Sequence, residues 1–93
     1  MPTRRRLIVA DSIVTAKLVE LRYTMQTRLE EKGDGTFASS HEIYGVLAEE
    51  MAEFLQAIQQ HKTPHELKAE LMDIAVGAVF GIACIEAGGM DSL

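Results

Sequence analysis

Four acidic residues in the second half of the chain have the chemistry and the spacing of a metal site: Glu50, Glu53, Glu70 and Asp73. Glu50 and Glu70 each stand three or four residues from apolar neighbours on a predicted helix, so they project from its apolar stripe. Glu53 and Asp73 follow them by one helical turn. Two helices therefore carry acidic pairs on comparable faces.

The turn between these helices relates the two pairs to each other. In an antiparallel helix pair, residues at one level have numbers with a constant total, and Glu50 with Asp73 has the same total as Glu53 with Glu70. The midpoint falls at His61-Lys62, where a turn is predicted on other grounds. The sequence thus predicts four carboxylates in a patch about 5 Å tall.

Such a patch would bind a hard cation. Four like charges that are close together and partly out of water destabilise a fold unless a cation neutralises them. Oxygen ligands select Mg²⁺ or Mn²⁺ over zinc or copper, and Mg²⁺ held by few carboxylates keeps positions open for phosphate oxygens and water, as phosphoanhydride hydrolysis requires. The alternative is that each pair belongs to an ordinary solvated helix face. The shared symmetry about the turn favours the metal site.

The same residues belong to a longer motif. Glu49-Glu50-Met51-Ala52-Glu53, then sixteen residues, then Glu70-Leu71-Met72-Asp73 resembles the EExxE…ExxD signature of the all-α nucleoside triphosphate pyrophosphohydrolases, the MazG-like superfamily. The stretch from His41 to Leu47 is similar to the entry to this motif in small, often phage-associated members. The resemblance covers about residues 36–87.

The resemblance implies both an activity and an assembly. The activity is Mg²⁺-dependent hydrolysis of a nucleoside triphosphate to the monophosphate and pyrophosphate, in the service of clearing or trimming nucleotide pools. The metal ligands would be the residues that match the motif, Glu50, Glu53, Glu70 and Asp73, with Glu50 or Glu53 as the general base. Members of the superfamily are helical bundles that form dimers or tetramers.

Three helices are predicted to position these residues, in a single domain that spans residues 1–93. The first runs from about Asp11 to Lys32, with Asp11 or Ser12 as its cap and Gly33-Asp34-Gly35 at its end. Residues 7–10 either extend this helix or form an irregular arm. The apolar face of the first helix consists of Val14, Leu18, Leu21, Met25 and Leu29.

Capping boxes begin the second and third helices. Ser39 with Glu42 starts the second helix, and Thr63 with Glu66 starts the third, which ends at Gly88-Gly89. The short connection makes these two helices antiparallel neighbours, and nothing predicts a strand, so the fold class is an all-α, antiparallel helical bundle. The apolar stripe of the second helix consists of Ile43, Leu47, Met51, Phe54, Leu55 and Ile58.

The third helix favours self-association. Ile74 to Ile85 is apolar nearly all round, so three helices of one chain cannot cover it, and a homodimer or homotetramer is expected. Gly77 and Gly81 lie one turn apart in this run, where each costs about 1 kcal/mol relative to alanine. Close helix contact is the preferred explanation, and space for a nucleotide is the alternative.

Other side chains are weaker candidates for substrate binding. His41, Tyr44 and Lys68 could contact the nucleotide, and Phe37 could stack on a base, although aromatic residues beside apolar stripes are more often core. Arg28, Lys32 and Lys62 are further candidates for binding phosphate, although each is more often simply solvated. His61 and His65 do not form a zinc site because Pro64 breaks the helix between them.

Composition sets the remaining bounds. The 93 residues carry a net charge of −5, the wrong sign for a nucleic-acid partner, although Arg4, Arg5 and Arg6 are a local exception. The single Cys84 excludes disulfides and cysteine-based zinc sites, and no signal peptide is evident, so a reducing cytoplasm is expected. The longest apolar run is too short to span a membrane.

The sequence therefore predicts a cytoplasmic Mg²⁺-dependent pyrophosphohydrolase whose substrate is a nucleoside triphosphate. The motif does not separate this enzyme from a pyrophosphohydrolase with a narrower substrate range, for example one that acts on dUTP or on a phosphoribosyl nucleotide. The rival from another class is a non-catalytic helical oligomerisation or binding module that retains the acidic cluster.

Overall fold

The computed structural model describes residues 6–33, 35–91 and 93, and within them the chain forms three α-helices and no strand. These are α1 (Asp11–Lys32), α2 (Ser40–Gln59) and α3 (Pro64–Ala87). The predicted all-α class is confirmed. Arg4 and Arg5 of the basic cluster and Asp34 of the predicted helix end lie outside the described residues.

Side-chain caps begin α2 and α3, as the sequence predicts. The Ser39 hydroxyl accepts a hydrogen bond from the Glu42 backbone N–H at 3.3 Å, and the Thr63 hydroxyl accepts one from the Glu66 backbone N–H at 3.2 Å. Gly88, with φ 72°, ends α3 in the left-handed conformation that favours glycine. These caps fix the ends of the two helices that carry the acidic residues.

The start of α1 differs from the prediction. Neither Asp11 nor Ser12 caps the helix; Ala10 occupies that position, and its carbonyl accepts two hydrogen bonds from the first turn. Asp11 lies inside the first turn, where its negative charge interacts favourably with the helix dipole. Residues 6–10 do not extend the helix and are exposed.

Glycine lets α2 and α3 pack closely. A Cβ on Gly77 would lie 3.2 Å from Leu47 Cδ2, and one on Gly81 would lie 3.0 Å from Ile43 Cγ2. The partner numbers fall on α2 as they rise on α3, so the two helices run in opposite directions. Close helix contact therefore accounts for both glycines.

α1 packs against α3, and the connection between α1 and α2 packs against the end of α3. Arg28 of α1 forms an ion pair with Asp73 of α3. In the connection, the Phe37 ring meets the Phe80 ring edge to face, with centroids 5.3 Å apart and planes at 77°. The Thr36 hydroxyl donates a hydrogen bond to the carbonyl oxygen of Gly89 at 3.1 Å. These contacts bring the end of α1 close to the α2–α3 pair.

One copy of the chain buries little of itself. Its radius of gyration is 16.0 Å, against about 12 Å for a compact domain of this length. Among the described residues, only Ala57, Val76, Gly81 and Cys84 are buried. Large apolar side chains are exposed on α2 and α3; we call the following six, none of which lines a cleft against α1, the outer apolar face: Tyr44, Met51, Leu55, Ile58, Ile82 and Ile85.

In the part of the chain that the structure describes, no helix is long and apolar enough to cross a membrane.

Candidate metal centre

Three of the four predicted carboxylates converge between α2 and α3. Glu50, Glu53 and Glu70 each offer one oxygen, and these three oxygens lie within 4.8 Å of one another. Two oxygens on opposite sides of a Mg²⁺ ion are about 4.2 Å apart, so small side-chain rotations would bring this carboxylate trio onto one ion. The predicted symmetry about the turn has produced this convergence.

Two atoms of the trio are buried and have no partner. Glu50 Oε2 and Glu70 Oε2 are out of reach of solvent, and neither has a hydrogen-bond partner among the described residues. A buried carboxylate oxygen without a partner is costly because its hydration is not replaced. A cation bound by the trio would supply the missing interaction.

Electrostatics at Glu50 are consistent with this. Burial raises the pKa of the Glu50 carboxyl above its ordinary value, and the negative charges of Asp73, Glu53 and Glu70 raise it further. The group is therefore less stable in its charged form than an ordinary glutamate, a cost that a divalent cation would offset.

Asp73, the fourth predicted ligand, lies beside the trio and has a different partner. Its Oδ1 accepts a charge-assisted hydrogen bond from the Arg28 guanidinium. Asp73 remains close enough to Glu50 to raise the pKa of that carboxyl. The structure thus groups three carboxylates and places the fourth in an ion pair at their edge.

A cleft of about 380 Å³ lies next to these groups, between α1 and the α2–α3 pair. Glu50, Asp73 and Arg28 line one end of it, and Phe37 and Phe80 line the other. Val46 and Gly77 lie between the two ends. The cleft therefore combines charged side chains, which also include Glu42 and Lys32, with two aromatic rings, a combination that suits a ligand with charged groups and a flat ring.

The weaker predicted substrate contacts lie elsewhere. His41 and Tyr44 are exposed near the start of α2 and do not line this cleft. Lys68 is exposed and lines a second cleft of about 670 Å³ between α1 and the first turns of α3. Of the aromatic candidates, Phe37 reaches the cleft beside the acidic residues.

Arg28 and Lys32, two of the candidates for binding phosphate, lie on α1. Both line the cleft that contains Glu50, and they stand four residues apart, so they share one face of α1. That spacing is readable in the sequence. The packing of α1 on α3 is not readable in the sequence, and it is this packing that brings the Arg28 and Lys32 face to the acidic residues.

No family model, curated protein or solved structure matches this chain. The resemblance to the MazG-like superfamily therefore stays a prediction.

Proposed function

We propose that this protein is a Mg²⁺-dependent pyrophosphohydrolase that cleaves a nucleoside triphosphate to the monophosphate and pyrophosphate. One observation carries the proposal: three carboxylates from two helices converge, and two of them bury an oxygen with no partner among the described residues. An oxygen-only ligand set favours Mg²⁺, with Mn²⁺ as a substitute. The adjoining cleft has room for a small ligand of mixed charge and aromatic character.

The three carboxylates have different roles in the proposed reaction. Glu50 and Glu70, on different helices, would hold the cation, which when bound would supply positive charge to offset that of the phosphates. Glu53 is the exposed member of the trio, so water can reach it, and it accepts the proton of the water that attacks phosphorus. Pyrophosphate leaves as the new phosphorus–oxygen bond forms.

We further propose that the chain acts as a homodimer or homotetramer. The outer apolar face is exposed on two neighbouring helices, for example at Leu55 and Ile82, which are 54% and 68% exposed. A second copy of the same face would cover it and complete an antiparallel helical bundle. The elongated shape of a single copy favours the same conclusion. Cys84 is a free, buried thiol, which suits action in a reducing cytoplasm.

A non-catalytic oligomerisation module is the second candidate. The observation that favours it is the outer apolar face, which would serve assembly whether or not the carboxylates bind metal. The two candidates differ in what they do to a triphosphate. Only the enzyme forms products.

Product analysis tests the proposal. Purified protein is incubated with a panel of ribo- and deoxyribonucleoside triphosphates that includes dUTP, together with a phosphoribosyl nucleotide, in the presence of Mg²⁺ or of chelator. The expected result is metal-dependent release of pyrophosphate and monophosphate from at least one member. Release of orthophosphate in place of pyrophosphate would refute the proposed reaction, and no turnover by folded protein across the panel would favour the module.

A further inference from the structure

The Arg28–Asp73 ion pair lies between two clefts of the molecule. Both residues line the cleft next to Glu50, and both also line the larger cleft between α1 and α3. Their side chains are 34% and 28% exposed, so the pair is sheltered but open to solvent. An incoming ligand can therefore reach the guanidinium.

We propose that Arg28 binds the phosphate chain of the substrate. Until that chain binds, Asp73 keeps the Arg28 guanidinium in an ion pair. In this arrangement the phosphate oxygens replace the Asp73 carboxylate on the guanidinium. The ligand class is a polyphosphate, such as the triphosphate of a nucleotide. The inference rests on the proposed function for its biological sense, although its first test does not require a metal.

The chemistry of the guanidinium supports this role. Arginine presents donors in a planar fork that matches two phosphate oxygens, and it stays charged at any physiological pH. Lys32 lies one turn further along α1, is exposed and lines the same cleft, so a second cation stands next to the first. One wall of the cleft is thus cationic and faces the acidic groups.

The charges around Arg28 explain why its guanidinium stays paired with Asp73 until the substrate binds. Without a bound metal ion, Glu50, Glu53, Glu70 and Asp73 outnumber Arg28 and Lys32, so a polyphosphate is repelled from this end of the cleft. A divalent cation on the trio reduces the repulsion and attracts the Asp73 carboxylate, which lies beside Glu50. The guanidinium then becomes available to the phosphates as they enter. Metal loading and phosphate binding are thereby coupled.

The alternative is that the pair only fastens α1 to α3. In that case Arg28 never leaves Asp73, and removing either partner lowers stability without improving the affinity for phosphate. The two explanations give opposite predictions for Asp73→Asn. The test therefore measures affinity and not only activity.

The first experiment is done in chelator, with inorganic tripolyphosphate as the probe. Calorimetric titrations compare the parent, Asp73→Asn, the double variant Asp73→Asn with Arg28→Gln, and Glu53→Gln, which removes one negative charge nearby without freeing Arg28. We expect Asp73→Asn to bind at least about tenfold more tightly than the parent and than Glu53→Gln, and the double variant to lose the gain. Equal affinities for Asp73→Asn and Glu53→Gln would overturn the inference.

The second experiment repeats the titrations with Mg²⁺. Arg28→Gln should weaken the binding of tripolyphosphate by about 10–100-fold, with Arg28→Lys intermediate, while circular dichroism shows that the helices are retained. If the parent binds and Arg28→Gln binds equally well, the inference fails and the proposed function stands. If the parent itself does not bind tripolyphosphate with Mg²⁺, the inference fails, and product analysis decides the proposed function separately. Should Arg28→Gln not fold, the metal-free comparison of Asp73→Asn with Glu53→Gln still decides the matter.

Discussion

Glu50 and Glu70 lie on different helices, yet their carboxylates meet, with one oxygen of each within 4.8 Å of the other. Each also has an oxygen, Oε2, that is buried without a hydrogen-bond partner in the described part of the chain. A pair of like charges in this state opposes folding unless something positive lies between them. The unfavourable burial of these two carboxylates should therefore show in the stability of the metal-free protein.

The metal-free protein should be stabilised by Glu50→Gln at neutral pH. The folded state raises the pKa of Glu50, so it binds a proton more tightly than the unfolded state does, and the stability that this group contributes falls as pH rises through its raised pKa. Glutamine removes that charge and can donate a hydrogen bond to a neighbouring carboxylate. In urea denaturation with chelator, the variant should have a larger free energy of unfolding than the parent at about pH 7. The difference should shrink as the pH falls into the range in which carboxyl groups ordinarily titrate. A variant less stable than the parent at neutral pH would contradict this.

Mg²⁺ should stabilise the parent and not Glu70→Gln. A ligand that binds only the folded state adds about 2.7 kcal/mol to the free energy of unfolding at one hundred times its dissociation constant. Thermal denaturation with increasing Mg²⁺ measures the effect. Glu86→Gln is the matched control because Glu86 is an exposed acid near the far end of α3, and it should keep the full shift. The same shift in Glu70→Gln would show that the cation binds elsewhere.

Alanine substitutions should separate the glycine that packs from the glycine that does not. Gly45→Ala in α2 adds a methyl group to open space, so it should stabilise the protein by about 1 kcal/mol through helix propensity. Gly81→Ala gains the same propensity, but its Cβ would lie 3.0 Å from Ile43 Cγ2, and overpacking of this kind costs about 1–3 kcal/mol. We expect a net loss, seen as a lower denaturation midpoint. A gain equal to that of Gly45→Ala would mean that α2 and α3 are further apart than described.

Self-association should depend on the outer apolar face. The parent should sediment as a dimer or larger species at high micromolar concentration, and Leu55→Lys should shift it towards monomer because a charge at this face cannot be buried unpaired. Gln56→Lys, the next residue on the exposed surface of α2, adds the same charge about 100° further round the helix, away from this face. It should leave the sedimentation unchanged. A monomeric parent would remove the proposed oligomer.

The helices were predictable because their signals are local. Ser39 and Thr63 cap α2 and α3 as their capping boxes predict, and the antiparallel pairing of Glu53 with Glu70 follows from the turn between the helices. The predicted cap of α1 was wrong because the residue at that position, Ala10, has no side chain that could cap a helix. Its backbone carbonyl alone accepts the hydrogen bonds of the first turn.

The position of α1 was less predictable. The sequence assigns an apolar face to α1, but no residue of Asp11–Lys32, all of which is described, is fully buried. The same face can dock at several angles, and the angle decides that Asp73 meets Arg28 and not only the trio. The exposed Val14 and Leu18 show that the face extends beyond what α3 covers. A contact between helices that are distant in sequence depends on this packing and not on local signals.

The most direct test of the central claim joins the site to the reaction. The parent, Glu53→Gln and Glu86→Gln are compared for Mg²⁺-dependent release of pyrophosphate from the preferred triphosphate, with thermal denaturation confirming that all three are folded. We predict that Glu53→Gln loses about 10²–10⁴-fold in turnover, as expected when a general base is removed, and that Glu86→Gln turns over at the parent rate. Turnover by Glu53→Gln at the parent rate would contradict the assignment of the carboxylate trio as the catalytic site.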